Sequence, residues 1–128
     1  MSSPIIGIGT DICDVERIAK LLDNYKDSFL SKNFADFEIE YCEQRANKAQ
    51  HYAARFAAKE AMAKALGLGF VKGLSPKSFA VKNDENGKPI AILDKQAESI
   101  MQSLGATKID ISLSHLKDYA VAFVVISQ

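Results

Sequence analysis

An α+β fold, with a mostly antiparallel sheet packed against one long central helix and shorter helices, is predicted by three features of this chain. Apolar residues recur at three- and four-residue spacing through the first half, ending in an alanine-rich run before Gly67. The second half instead carries short β-branched runs separated by turn residues. Helices and hairpins therefore occupy separate blocks, not the strict βαβ alternation of a doubly wound sheet. A length of 128 residues, 48% apolar and 25% charged, suits a single domain over 1–128 with one core.

The elements follow in order. Pro4 to Asp11 (PIIGIGTD) reads as a first strand, and Asp14 can cap a helix that turns Val15, Ile18, Leu22 and Tyr25 inward. A second helical stretch near Phe34 to Arg45 would bury Phe34, Phe37 and Tyr41. Asn47 then opens the long helix NKAQHYAARFAAKEAMAKAL, with Gly67 as the residue that ends it. Phe79 and Val81, the turn from Asp84 to Pro89, and Ile90 to Leu93 suggest a hairpin. A short helix near Asp94 to Leu104 stops at Gly105, and two strands, Thr107 to Ser114 and Tyr119 to Ser127, close the pattern.

Sixteen basic residues cancel sixteen acidic ones, so bulk charge does not hold this chain to nucleic acid. No apolar run approaches the roughly 20 residues of a spanning helix, so no membrane partner is expected. The opening MSSPIIGIGTDICD has neither the basic region nor the cleavage site of an export signal, and a cytoplasmic location is expected. Cys13 and Cys42 lack metal-ligand spacing and read as reduced thiols.

Gly7-x-Gly9 is no dinucleotide fingerprint, because the third glycine position holds Ile12. The two glycines instead suit a close backbone approach beside Asp11. Taken alone, Asp11 is either a cap or turn aspartate or a rigidly held functional carboxylate. The long helix is more specific. Seven alanines lie between Ala53 and Ala65, and about 100° per residue sets Ala57, Glu60 and Lys64 within about 40° of one line. Glu60 and Lys64 are then either a surface ion pair or a carboxylate and an ammonium held for a metal or phosphate. Arg55 lies about 140° around from Glu60, beside Lys59; the two either reach solvent, which periodicity alone favours, or address another part of a large ligand. His115 shares a strand face with Ile109, Ile111 and Leu113, so Ser114 beside it points the other way and a serine-hydrolase pair is disfavoured.

These pieces together resemble the holo-acyl-carrier-protein synthases, a family of 4′-phosphopantetheinyl transferases. The matching blocks are Gly7-Ile8-Gly9-Thr10-Asp11 with Val15-Glu16-Arg17-Ile18, and Arg55-Phe56-Ala57-Ala58-Lys59-Glu60-Ala61 with Lys64-Ala65-Leu66-Gly67. Asn86-Gly87-Lys88-Pro89 and Ser112-Leu113-Ser114-His115 follow in the same order. Leu68, where the family often has threonine, and Ser78-Phe79 depart from the pattern.

The resemblance implies the 4′-phosphopantetheinyl transferase fold and transfer of phosphopantetheine from coenzyme A to a serine of apo-acyl carrier protein. It implies Mg²⁺ on Asp11 and Glu60, and Lys64 on the pyrophosphate. Arg55 and His115 become candidates for the coenzyme's 3′-phosphate, and the turn at Gly87, Lys88 and Pro89 for a neighbour of its adenosine end. It further implies a homotrimer with sites between protomers. Arg17, Lys20 and Leu21, on the outer side of the first helix, would form the docking surface for an acidic carrier. A Mg²⁺-dependent pyrophosphohydrolase using Asp11 and Glu60, and a coenzyme-binding or helical interaction module, remain as alternatives.

Overall fold

The computed structural model describes residues 4–128; the first three residues of the expected domain lie outside it. The order is β1 (Ile5–Asp14), α1 (Val15–Asn33), α2 (Asp36–Glu43) and α3 (Lys48–Leu66). A 3₁₀ turn (Pro76–Ser78) leads to β2 (Phe79–Asn83), β3 (Pro89–Leu93), α4 (Lys95–Ser103), β4 (Lys108–His115) and β5 (Tyr119–Ser127). β5 lies between β1 and β4 in one sheet, and β2 pairs with β3 in another. Every pairing is antiparallel, as the separated blocks predicted.

Strand alternation sorts β1 into two faces. Gly7, Gly9, Asp11 and Cys13 turn toward α3, whereas Ile8, Thr10 and Ile12 turn away. The glycines are there for contact. A Cβ at Gly7 would lie 1.8 Å from the Ala65 carbonyl oxygen, and one at Gly9 would lie 1.9 Å from that of Ala61. Strand and helix backbones thus touch directly, with the α3 alanines completing the small-residue surface. Ala120, Ala122, Val124 and Ile126 of β5 fill the sheet side of this core.

The caps follow the sequence in part. The Asp14 side chain accepts from the Glu16 and Arg17 backbone N–H groups and starts α1. Gly67 ends α3 in the left-handed conformation, with its N–H on the Ala63 and Lys64 carbonyls. Asn47 precedes α3 but makes no side-chain cap bond.

Other expectations are corrected. β1 runs three residues beyond Asp11, so Asp11 is a strand residue and neither a cap nor a turn. Tyr25 is 63% exposed, because α1 breaks its helical conformation there (φ −140°, ψ 37°) and the inward stripe loses register. In α2 the fully buried residues are Glu38 and Cys42, while Phe37 sits at the surface. Arg55 and Lys59 do not reach solvent: Arg55 is 3% exposed and Lys59 fully buried. Periodicity misplaced them because α3 is buried on nearly all sides, against β1 and β5 on one and α1, α2 and β2 on the others.

Lys59 is accommodated by a complete set of partners. Its Nζ donates to Glu38 Oε1 at 2.7 Å, to the Phe79 carbonyl at 2.9 Å and to the Pro76 carbonyl at 3.1 Å. Glu38 accepts in addition from the Ala35 and Val81 N–H groups. Burial drives the Lys59 pKa down while Glu38 pulls it back up. This pair ties α2, α3, the 3₁₀ turn and β2 together.

Candidate active site

Because Gly7 lies on Ala65 and Gly9 on Ala61, β1 descends α3 by about one helical turn for every two residues. Asp11 therefore arrives over the segment that carries Glu60. Lys64 Nζ donates to Asp11 Oδ1 at 3.1 Å and to the Thr10 carbonyl at 3.0 Å. The expected Glu60–Lys64 pair is absent from the described contacts. Lys64 crosses to the strand because Asp11 stands within its reach.

Glu60 is half-buried and, among the described residues, its carboxylate has no hydrogen-bond partner. Burial raises its pKa most, the Asp11 charge raises it further, and Lys64 and Arg17 oppose. Two carboxylates thus repel each other at one spot, with a lysine against one of them. Beneath them burial pushes the Cys13 thiol up to about 11, with Asp11, Asp14 and Glu60 adding to the effect, so it stays protonated. Both cysteines are free and buried.

Two oxygen donors under mutual repulsion are suited to a divalent cation. No group of three or more histidine, cysteine or acidic side chains is placed to hold a metal among the described residues. Two carboxylates alone would suit Mg²⁺, which takes one or two protein carboxylates and leaves the other positions to substrate oxygens and water.

A second cluster lies on the far side of α3. Arg55, Gly87, Pro89 and His115 line one groove with Tyr41, His51 and Asn83. Arg55 Nη2 donates to Asn83 Oδ1, and Asn83 Nδ2 donates to the Gly87 carbonyl at 2.9 Å. His115 Nδ1 is 2.7 Å from Gln50 Oε1, and its ring centroid is 4.8 Å from that of His51. Lys88 does not line this groove; its backbone N–H closes the turn on Asp84 Oδ1. Lys64 belongs with the carboxylates, about 180° around α3 from Arg55. The residues suggested for coenzyme binding thus fall into two groups within one chain.

Arg17, Lys20 and Leu21 line a third, shallow groove on α1 with Asn24 and Tyr25. Lys20 pairs with Glu16 at 3.6 Å, an exposed i,i+4 contact of little energetic weight. Arg17 faces the carboxylate pocket closely enough to lower the Glu60 pKa.

Sequence reasoning missed Arg45, His51 and Asn83. The signal was available in four-residue spacings: Tyr41 to Arg45 and His51 to Arg55 each bring an aromatic ring beside an arginine. Glu38 was missed because a carboxylate beside aromatic residues is indistinguishable in sequence from a solvated one.

Known proteins match this chain over nearly its whole length. A profile of the 4′-phosphopantetheinyl transferase superfamily matches residues 7–124. The chain belongs to this superfamily. It is 47% identical over 121 residues to the holo-[acyl-carrier-protein] synthase of Ruminiclostridium cellulolyticum, covering 94% of this chain and 90% of that one. The crystal structure of the holo-[acyl-carrier-protein] synthase of Neisseria meningitidis superposes with a TM-score of 0.89 at 31% identity, covering 97% and 99% of the two chains. That of Helicobacter pylori, solved in complex with coenzyme A, has a TM-score of 0.82 at 32% identity and covers 94% and 99%. The transferase superfamily thus accounts for nearly every described element, and for the α+β class read from the sequence.

Proposed function

We propose that this chain is a Mg²⁺-dependent holo-acyl-carrier-protein synthase. It would transfer 4′-phosphopantetheine from coenzyme A to a serine hydroxyl of apo-acyl carrier protein and release adenosine 3′,5′-bisphosphate. The observation that carries this reading is the convergence of Asp11, Glu60 and Lys64 at the contact between β1 and α3. The names of the relatives and the coenzyme A complex of the H. pylori structure support it.

In the reaction the serine oxygen bonds to the phosphorus that carries the pantetheine, and the bond from that phosphorus to the bridging oxygen breaks. The hydroxyl proton passes to a carboxylate or to water, and the bisphosphate leaves with the bridging oxygen. Asp11 and Glu60 would hold Mg²⁺, which supplies neutralisation of the pyrophosphate charge. Lys64, held by Asp11 and the Thr10 carbonyl, presents its remaining N–H to the same oxygens. Arg55 and His115, with the turn at Gly87 and Pro89, bind the adenosine end and its 3′-phosphate. Arg17, Lys20 and Leu21 receive the carrier, and the proximity of Arg17 to Glu60 brings that surface to the edge of the reacting centre.

The two clusters on opposite sides of α3 favour a site shared between protomers. The outer face of the main sheet supplies an interface: Ile8, Ile12, Val121 and Phe123 are 61%, 63%, 39% and 47% exposed on adjacent strands. An apolar patch of this kind marks an association surface. A homotrimer would cover it and bring the Arg55 group of one protomer toward the Glu60 group of the next. A cytoplasmic location accords with that assembly, and among the described residues no helix is long and apolar enough to cross a membrane.

Intact-mass measurement tests the reading. Apo-carrier protein, coenzyme A and Mg²⁺ are incubated with and without this protein. A phosphopantetheine mass gain on the carrier is expected. Coenzyme cleavage without carrier modification would instead identify a pyrophosphohydrolase, and no change a binding module.

A further inference from the structure

The chain supplies a cation of its own to one of the two carboxylates and not to the other. Lys64 Nζ donates to Asp11 Oδ1 at 3.1 Å and to the Thr10 carbonyl at 3.0 Å, which takes up two of its three N–H bonds. Glu60 stands one turn from Lys64 on the same helix, yet among the described residues no such contact joins them. An i,i+4 pair within α3 was within reach, and the ammonium instead crosses to β1.

We propose that Lys64 is a placeholder cation: it neutralises Asp11 until a diphosphate draws it away, and so ties capture of the divalent ion to arrival of the coenzyme. This rests on the transferase reading for the identity of the diphosphate and for Asp11 and Glu60 as the pair that takes the ion.

Three observations carry it. The ammonium lies against a carboxylate that the ion would need, and two cations on one carboxylate repel, so the ion must compete with Lys64 for Asp11. The tether is double but unequal. Thr10 offers a neutral carbonyl, so Lys64 can give up Asp11 and stay anchored at the site while its third N–H meets an incoming anion. The partners also differ in freedom. The Lys64 side chain is 55% exposed on a flexible stem, whereas that of Asp11 is 21% exposed on a strand paired along its length with β5 and pressed on α3 through Gly7 and Gly9. With a movable cation over a fixed carboxylate, it is the cation that is exchanged.

The other charged groups nearby do not take this part. Arg17 lowers the Glu60 pKa through its field, but no ion pair joins it to either carboxylate among the described residues. Asp14 is committed to the Glu16 and Arg17 N–H groups at the start of α1. By reciprocity, a diphosphate that removes Lys64 from Asp11 raises the affinity for the ion, and the ion raises that for the diphosphate by the same factor.

Binding measurements without carrier test this apart from turnover. Mn²⁺ serves as the probe, because its electron paramagnetic resonance signal reports the unbound ion. Titrated with Mn²⁺ alone, the chain carrying Lys64→Met should bind it about fivefold more tightly than wild type, the scale of one exposed ion pair. With Mn²⁺ saturating, calorimetry should find coenzyme A bound about fivefold or more weakly by the same variant. The opposite signs are the signature, since loss of a merely supporting side chain would weaken both. Lys64→Arg keeps a cation and its donors and should return Mn²⁺ affinity to within about twofold of wild type. Arg17→Gln removes a nearby charge but no contact with Asp11, and should shift it by less than about twofold.

Mn²⁺ binding by Lys64→Met that is no tighter than wild type, undetectable binding by both included, would overturn the proposal. Coenzyme A binding that does not weaken, or a gain for Mn²⁺ equally large in Arg17→Gln or Lys64→Arg, would overturn it too. Carrier modification by a wild type whose Lys64→Met variant shows no gain would leave the transferase reading standing without this one. The gain in a protein that modifies no carrier would do the reverse.

Discussion

Lys59 and Glu60 are neighbours in the chain and opposites in circumstance. Lys59 is fully buried, with all three N–H bonds of its ammonium answered by Glu38 and two carbonyls. Glu60 is only half-buried, yet no described residue donates to its carboxylate, and Asp11 repels it. The deeper charge is the satisfied one. A charge fully answered by its own chain fixes the arrangement of elements, whereas one left unanswered at the surface is available to a ligand. The KE pair in RFAAKEA thus serves two separate ends, one holding β2 and α2 on α3, the other facing the centre of the proposed reaction.

The most forceful way to break this contrast is Lys59→Met. It strands the Glu38 carboxylate in the core and should cost about 3–5 kcal/mol in urea unfolding, part of which Lys59→Met with Glu38→Gln recovers. A loss below about 1 kcal/mol would mean the buried pair does not hold the fold.

Glu60→Gln should do the reverse. Transfer should fall by at least about a hundredfold, in line with the removal of a major electrostatic contribution. Stability should not fall with it. The pKa of Glu60 in the folded state lies above its ordinary value of 4.5, so its contribution to stability is complete at low pH, where it is protonated. That contribution is lost as pH rises through the folded value. The ionised carboxylate therefore opposes folding of the ligand-free protein at pH 7.5, and Glu60→Gln should hold or raise Tm there, with the gain fading toward pH 4. A drop in Tm at pH 7.5 comparable to that of Lys59→Met would erase the distinction.

A smaller test sharpens it. Gly9→Ala forces a methyl group against the Ala61 carbonyl and should cost about 1–3 kcal/mol by thermal or urea unfolding. Because the same contact sets Asp11 over α3, transfer should slow more than the stability loss accounts for at temperatures where the variant is folded. Normal turnover in folded Gly9→Ala would show that Asp11 is positioned by other contacts.

The strands, the long helix, the Asp14 cap and the Gly67 stop were legible because each has a local signature in spacing or backbone preference. Glu60 and Lys64 were legible as neighbours from helical spacing, whereas Asp11 joined them only through the family resemblance. The partners inside the group were not: the Lys64 hydrogen bond to Asp11 depends on strand position, which no residue spacing within α3 encodes. Arg55 and Lys59 were misplaced because periodicity reports which residues share a side, not how many sides of a helix are covered. Arg45 and His51 acquire their meaning only from Tyr41 and His115, drawn in from α2 and β4.

The position of β5 between β1 and β4 has a consequence for the order in which the protein can assemble. Among the described residues β1 pairs with β5 alone, and Thr10 bonds the Ala122 carbonyl across 112 residues of sequence. During synthesis β5 follows every other described element, so the strand that carries Asp11 waits unpaired until the rest has emerged. The helix that carries Glu60 needs only local contacts to begin forming. The strand pairing that flanks Asp11 is therefore completed only when β5 docks. A nascent chain arrested ahead of Tyr119 would hold α3 and its glutamate with β1 still lacking its strand partner β5.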